Sequence, residues 1–272
     1  MTRYRFSPLL AFAAGVIALM AVPLGAHAHR AWMQPSSTVL SGTDAWIGVD
    51  AGMSNGVFIA DHAAMRLDGL TITGPDGQLL SPENMMRGRY RATFDVHLTQ
   101  QGTYRIANVL GGVVASYTLN GERQRWRGTP AEYPQALPEG ATAVDASLSA
   151  MRVETFVTLG NLSEEVFTPT GYGLEIVPIT HPNDLVLGEP GRFRLLVDGR
   201  PAAGLAVTIA RGGSRYRTAP EELTLTTDAD GVYSVDWPEA GMYWMHASIQ
   251  VPGADGKLPL SAQYNGIVEV LP

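Results

Sequence analysis

Five of the Asx-Gly pairs in this chain set its folding problem: Asp76-Gly77, Asn120-Gly121, Asp198-Gly199, Asp230-Gly231 and Asp255-Gly256. Both residues of such a pair tolerate positive φ, so each marks a point where a strand can fold back on itself. Between them lie short apolar, β-branched and aromatic runs, and no long stretch keeps a helical period. Thr71-Ile72-Thr73 leads into Pro75-Asp76-Gly77, and Phe193 to Val197 ends at Asp198-Gly199. Leu223 to Thr226 and Val232 to Val235 flank Asp230-Gly231 and predict a hairpin with a loop longer than the tightest kind. One short helix is expected over Pro130 to Leu137. The pattern predicts an all-β protein built of sandwiches.

An internal similarity supplies a domain count. Phe94 to Tyr104 aligns without a gap to Tyr233 to Tyr243. The shared pattern is a strand, a turn closing in Gly102 or Gly241, then one residue and a Tyr that opens another strand. It resembles the tyrosine corner of immunoglobulin-like sandwiches. Two sandwich domains are therefore expected, at residues 29–171 and 172–272, with a connecting segment rich in Ala, Pro, Glu and Gly at 128–149. Met151 to Leu159 reads as a strand packed on the first domain or bridging the two.

Residues 1–28 read as a secretory signal peptide: Arg3 and Arg5 form a basic start, an apolar run follows from Pro8 to Leu24, and Ala26 and Ala28 close it. Pro23 interrupts the run, which is too short for a confident membrane span. The expected product is an exported, periplasmic protein whose formal charge moves from -7 to about -9 when Arg3 and Arg5 are removed. With 19 Lys+Arg against 26 Asp+Glu, the balance disfavours nucleic acid and favours a cationic ligand. The absence of cysteine removes disulfides, thiolate metal sites and a cysteine nucleophile together. Chemistry is left to His, carboxylates, Met and hydroxyls.

The junction reads Leu24-Gly25-Ala26-His27-Ala28-His29-Arg30-Ala31-Trp32. Cleavage after Ala28 makes His29 the first residue, so that its amine and ring can chelate one ion together. Cleavage after Ala26 leaves His27-Ala28-His29, with a His third from a free amine, which suits square-planar Cu(II) or Ni(II). Either cut yields an amino-terminal nitrogen chelate.

Several stretches resemble a known family. They are Ala28-His29-Arg30-Ala31-Trp32-Met33-Gln34-Pro35, Gly173-Leu174-Glu175-Ile176-Val177-Pro178, Gly188, Asp198-Gly199-Arg200-Pro201-Ala202-Ala203-Gly204, Tyr216-Arg217-Thr218, Thr227 to Gly231 and Pro238 to Trp244. In order along nearly the whole mature chain, they resemble a bacterial periplasmic family of unknown function that is often labelled the periplasmic, substrate-specific component of nickel or cobalt uptake. The resemblance implies a divalent-metal ligand and an inner-membrane transporter as partner. The Asp-Gly-x-Pro-x-x-Gly and Thr-Asp-x-x-Gly stretches also occur in transthyretin-like sandwich modules, where they set turns and strand ends. In this chain Arg30-Ala31 replaces the acidic or aromatic pair that the family usually carries between its His and Trp.

The metal candidates are His29, His62, His97 and His246. Asp61-His62 offers an oxygen and nitrogen pair. His97 shares a strand face with Asp95, a carboxylate placed to orient a ligating ring. Met242, Trp244 and His246 share one face of a strand, a combination of Met and imidazole that suits copper. Each also has a structural reading as a solvated loop, an exposed strand face or core packing. His181, before Pro182, is placed in a loop.

Other chemistries are less favoured. The carboxylate pairs Glu164-Glu165 and Glu221-Glu222 are adjacent rather than facing, and Arg211-Gly212-Gly213-Ser214 reads as a turn. A non-enzymatic periplasmic binder of Ni, Co or Cu is the first expectation. The alternative is a cell-envelope sandwich module that binds protein or glycan, with Trp32, Trp46, Trp126 or Trp244 stacking on a sugar. A copper oxidase built on the amino-terminal His is a third, more distant reading.

Overall fold

The computed structural model describes residues 29–218, 221–254 and 256–272. The expected leader at 1–28, with His27 and the cleavage junction, lies outside these residues, as does Asp255 of the last turn pair. The described chain is all-β. In order it forms β1 (Arg30–Pro35), β2 (Val39–Leu40), β3 (Ala45–Ser54), β4 (Ala63–Ala64), β5 (Leu70–Thr73) and β6 (Leu79–Leu80). It continues through β7 (Glu83–Arg87), β8 (Ala92–Leu98), β9 (Gly102–Leu119), β10 (Glu122–Gly128), β11 (Thr142–Leu159) and β12 (Leu174–Pro178). The remainder is β13 (Gly191–Val197), β14 (Arg200–Pro201), β15 (Ala206–Arg211), β16 (Leu223–Thr226), β17 (Val232–Val235), β18 (Gly241–Val251) and β19 (Leu260–Val270).

The strands form three sheets. One has the order β1-β3-β8-β7, with β4 on β3; another, of 10 strands, runs β16-β15-β18-β19-β11-β9-β5-β6, with β10 on β9 and β2 on β11. The third is β12-β13-β14, with β17 on β13.

Side-chain alternation shows how they stack. In β18, Tyr243, Met245 and Ala247 belong to one apolar core and Trp244 to another. In β11, Ala150 and Phe156 serve the first core, while Val153, Val157 and Leu159 serve the second. Successive side chains on a strand point to opposite faces, so the two cores lie on opposite sides of the 10-stranded sheet. Met33, Ile47, Val49, Phe94 and Val96 cover one side, and Ile176, Phe193, Leu195, Tyr233 and Val235 cover the other. The molecule is thus a sandwich of three layers around a shared middle sheet. Arg152 to Leu159 are buried without interruption, as a strand covered on both faces requires. β11 pairs with β19 in parallel, from Leu148↔Leu260 to Thr155↔Ile267, so one sheet runs through residues on either side of position 172.

Local chemistry explains the turns. Asn120 and Gly121, at φ 52 and 82, join Leu119 to its partner Glu122. Asp198 and Gly199, at φ 47 and 75, join Val197 to Arg200. Positive φ at both central residues is what a two-residue hairpin loop matched to strand twist demands. Both expected tyrosine corners form: the Tyr104 hydroxyl donates to the Gln100 carbonyl at 2.8 Å, and Tyr243 donates to that of Glu239 at 2.6 Å.

Two expectations are corrected. Leu223–Thr226 and Val232–Val235 do not pair with each other; β16 joins β15 and β17 joins β13, in different layers. Thr227 turns the chain between sheets, accepting from the Leu205 amide at 2.8 Å and donating to the Ala202 carbonyl at 2.5 Å. Pro130 to Leu137 forms consecutive turns rather than a helix. Thr129 and Glu132 make a capping pair at its start, but Pro134 supplies no amide to continue a ladder.

Candidate metal centre

Two strands flank the end of β3. In register, Arg30 of β1 lies opposite Ser54, and Ala63 of β4 lies opposite Met53. His29 and His62 are the residues immediately before these strands, and β3 stops at Ser54 between them. The two imidazoles meet there as a stacked pair, with ring centroids 3.4 Å apart and planes 11° from parallel. Both residues are exposed.

Neighbouring groups hold this corner in place. The Trp244 indole donates to the Ala31 carbonyl at 2.9 Å. The Arg30 guanidinium lies 5.1 Å from the centre of the Trp244 ring and pairs with Glu222. β1 is thereby tied to β18 and to the segment leading into β16, so His29 leaves the fold at a defined point. On the other side, Asp61 accepts from the Asn55 amide at 3.0 Å and from the Asn55 side chain at 3.3 Å. These bonds close the loop between β3 and β4 and present His62. The Asp61 carboxylate is therefore engaged in shaping the loop. The same loop walls an open cavity of about 440 Å³, with Val57, Phe58, Gly212, Tyr216 and Met242.

The other candidate residues lie apart from this pair. His97 stacks on Trp46, with centroids 4.2 Å apart, and its Nε2 is 2.8 Å from Asp44; Asp95, its neighbour on the same face, accepts from Asn84 at 2.8 Å. His246 lies parallel to Trp244 at 5.1 Å and donates through Nδ1 to Asn265 at 3.0 Å. Burial pulls its pKa below the ordinary histidine value. Met242 lines the cavity beside the β3–β4 loop. His181 accepts from the Asn183 amide at Nδ1 (3.1 Å) and reaches the Ser163 carbonyl from Nε2 (3.1 Å). Among the described residues, no group of three or more His, Asp or Glu side chains is placed to hold a metal ion. What the site offers is two imidazoles, from His29 and His62, with ring nitrogens that make no hydrogen bond among the described residues.

Sequence patterns single out His29 and His62 separately. The residues that bring them together, Arg30, Trp244 and Glu222, carry no such signal, because Arg30 and Glu222 are 192 positions apart. A buried cluster was also missed: Arg152 bonds Glu175 at 2.9 Å and lies 3.6 Å from Glu154. Glu175 in turn receives the amides of Thr170 and Gly171, at 2.8 and 2.6 Å, and so ties the loop before β12 to the middle sheet.

The fold defines an all-β sandwich protein. The chain belongs to the family described as Domain of unknown function (DUF4198), whose model matches residues 26–251. No curated protein matches it. Among solved structures it is similar to trypsin-activated alpha-2-macroglobulin from Escherichia coli, with 13% identity over 89% of this chain and 16% of that one, TM-score 0.24. It is similar also to the D0-D1 domain of intimin, with 11% identity over 88% of this chain and 97% of that one, TM-score 0.23. A third is a DUF4785 family protein from Legionella pneumophila, with 11% identity over 87% of this chain and 55% of that one, TM-score 0.24. No helix among the described residues is long and apolar enough to cross a membrane.

Proposed function

We propose that this protein binds a divalent transition metal, Ni(II), Co(II) or Cu(II), in the periplasm and hands it to an uptake or homeostasis system. The observation that supports this reading is the His29–His62 pair, 3.4 Å between ring centres at the expected mature terminus. With cleavage after Ala28, the His29 α-amine joins the two rings, and three nitrogens become available from one corner. Nitrogen donors suit nickel, cobalt and copper, and the acidic balance of the chain favours a cation. For both rings to serve one ion they would tilt out of the stack, so that each lone pair points at it; their exposure leaves room for that movement.

The test is a titration of protein beginning at His29 with Ni(II) and Cu(II), beside His62→Ala and a form whose His29 α-amine is acetylated. Each change removes one nitrogen from the chelate, and each is expected to weaken binding at least tenfold, about 1.4 kcal/mol. Equal affinity across the three proteins would sink the reading.

A further inference from the structure

At the far end of β3 from Ser54 is a second surface, which uses none of the residues of the histidine pair. Trp46 is 48% exposed, whereas Trp32, Trp237 and Trp244 are 2%, 5% and 4% exposed. A solvent-facing indole on a strand leaves a large apolar area unused. Here the ring is also held in place, with one of its faces covered. His97, directly opposite in the register, stacks parallel to it at 4.2 Å and 8°, and Asp44 fixes the imidazole through Nε2 at 2.8 Å.

The next residue of β3 on this face is Gly48, paired with Asp95, and after it comes Asp50, paired with Thr93. With no side chain at 48, the sheet carries a trough of about 460 Å³ whose walls include Gln34, Ser36, Asp50, Thr93 and Asp95. A Cβ at position 48 would lie 3.5 Å from Asp95 Oδ1, so the carboxylate leans over the bare backbone. The second oxygen of Asp95 is held by Asn84 at 2.8 Å, and Asp50 is paired with Arg91 at 3.0 Å. Rows on one strand face repeat about every 7 Å. A flat aromatic surface thus adjoins, one row on, a trough lined by hydroxyl, amide and carboxylate groups.

From this juxtaposition we infer that the outer face of the β1-β3-β8 sheet binds an uncharged glycan, with one pyranose ring lying on Trp46 and its neighbour in the trough over Gly48. A pyranose presents an apolar C–H face to the indole and hydroxyls that donate to Asp95 and Gln34. The carboxylates in the trough select against uronic acids and other anionic sugars. The volume lies within the range of small-ligand sites, about 300–1,000 Å³.

The experiment titrates metal-free protein, in EDTA, with cellohexaose, chitohexaose, maltohexaose and, as the anionic control, oligogalacturonate, following tryptophan fluorescence and calorimetric heat. At least one neutral hexasaccharide is expected to bind and change the tryptophan emission. Trp46→Ala should weaken that binding at least tenfold, Trp46→Tyr should restore part of it, and Gly48→Val, which fills the trough, should weaken it while leaving the thermal midpoint close to that of the wild type. His62→Ala should bind the sugar as the wild type does, which separates this surface from the metal reading. Failure of all three neutral sugars to bind, stronger binding of oligogalacturonate than of any of them, or binding indifferent to Trp46→Ala would overturn the inference.

Discussion

At the scale of single residues, the histidines divide by what their nitrogens already do. His181 accepts a backbone N–H at Nδ1, so protonation there would set a proton against a donor; burial lowers its pKa from 6.5. His246 is lowered for the same reason. A histidine whose folded pKa is depressed favours the fold while neutral. Its contribution is present above the unfolded value near 6.5 and is lost as pH falls through the folded pKa. Glu154 acts in the opposite sense: burial raises its pKa, so its contribution is lost as pH rises. The informative comparison is therefore between variants. Urea unfolding of a His181→Gln, His246→Gln double variant should give lower stability at pH 7 and a shallower loss between pH 7 and 5 than the wild type. An identical slope would show that these rings carry none of the acid sensitivity. Among the described residues His29 and His62 have no such internal partners, and this is what separates a ligand candidate from a structural histidine here. The sequence could name all of them but could not sort them, because Ser163 and Asn265, which engage His181 and His246, are supplied by other segments.

At the scale of elements, the turns were legible and the pairings only partly so. Asn120-Gly121 and Asp198-Gly199 demand positive φ at both residues, a constraint carried by the dipeptide itself. The corners at Tyr104 and Tyr243 were legible for the same reason, since each hydroxyl closes on a residue four positions earlier. The corners differ in strength. Tyr104 both donates to the Gln100 carbonyl and receives its amide, each at 2.8 Å, whereas Tyr243 makes only the donated bond among the described residues. Tyr243→Phe should cost about 1 kcal/mol and Tyr104→Phe about 2 kcal/mol in denaturant unfolding. A reversed order would contradict this assignment. The expected hairpin around Asp230-Gly231 failed because β16 and β17 are separated by Thr227, whose buried bonds reach 22 and 25 residues back. No window of local sequence contains those partners.

At the scale of the whole molecule, the parallel seam between β11 and β19 decides how the cores are arranged, and it was not legible. Its partners are about a hundred residues apart, and the burial of Arg152 to Leu159 on both faces, like the alternation along β18, shows that the middle sheet is covered twice. Met151 to Leu159 could be read as bridging, but nothing in the sequence placed the two cores on opposite sides of one sheet. The division into units at 29–171 and 172–272 remains a proposal about folding, in a chain whose central sheet is continuous. The same layering carries β1 across β18 through Trp244 and Arg30, and so delivers His29 to His62. The metal reading therefore rests on the proposed cleavage after Ala28, and native mass spectrometry of protein isolated from a periplasmic extract tests it most directly. The account predicts a polypeptide that begins at His29 and carries one nickel, cobalt or copper ion, and a His62→Ala variant with the same terminus from which the ion is largely lost. A terminus elsewhere without bound metal, or equal metal content in wild type and His62→Ala, would contradict it.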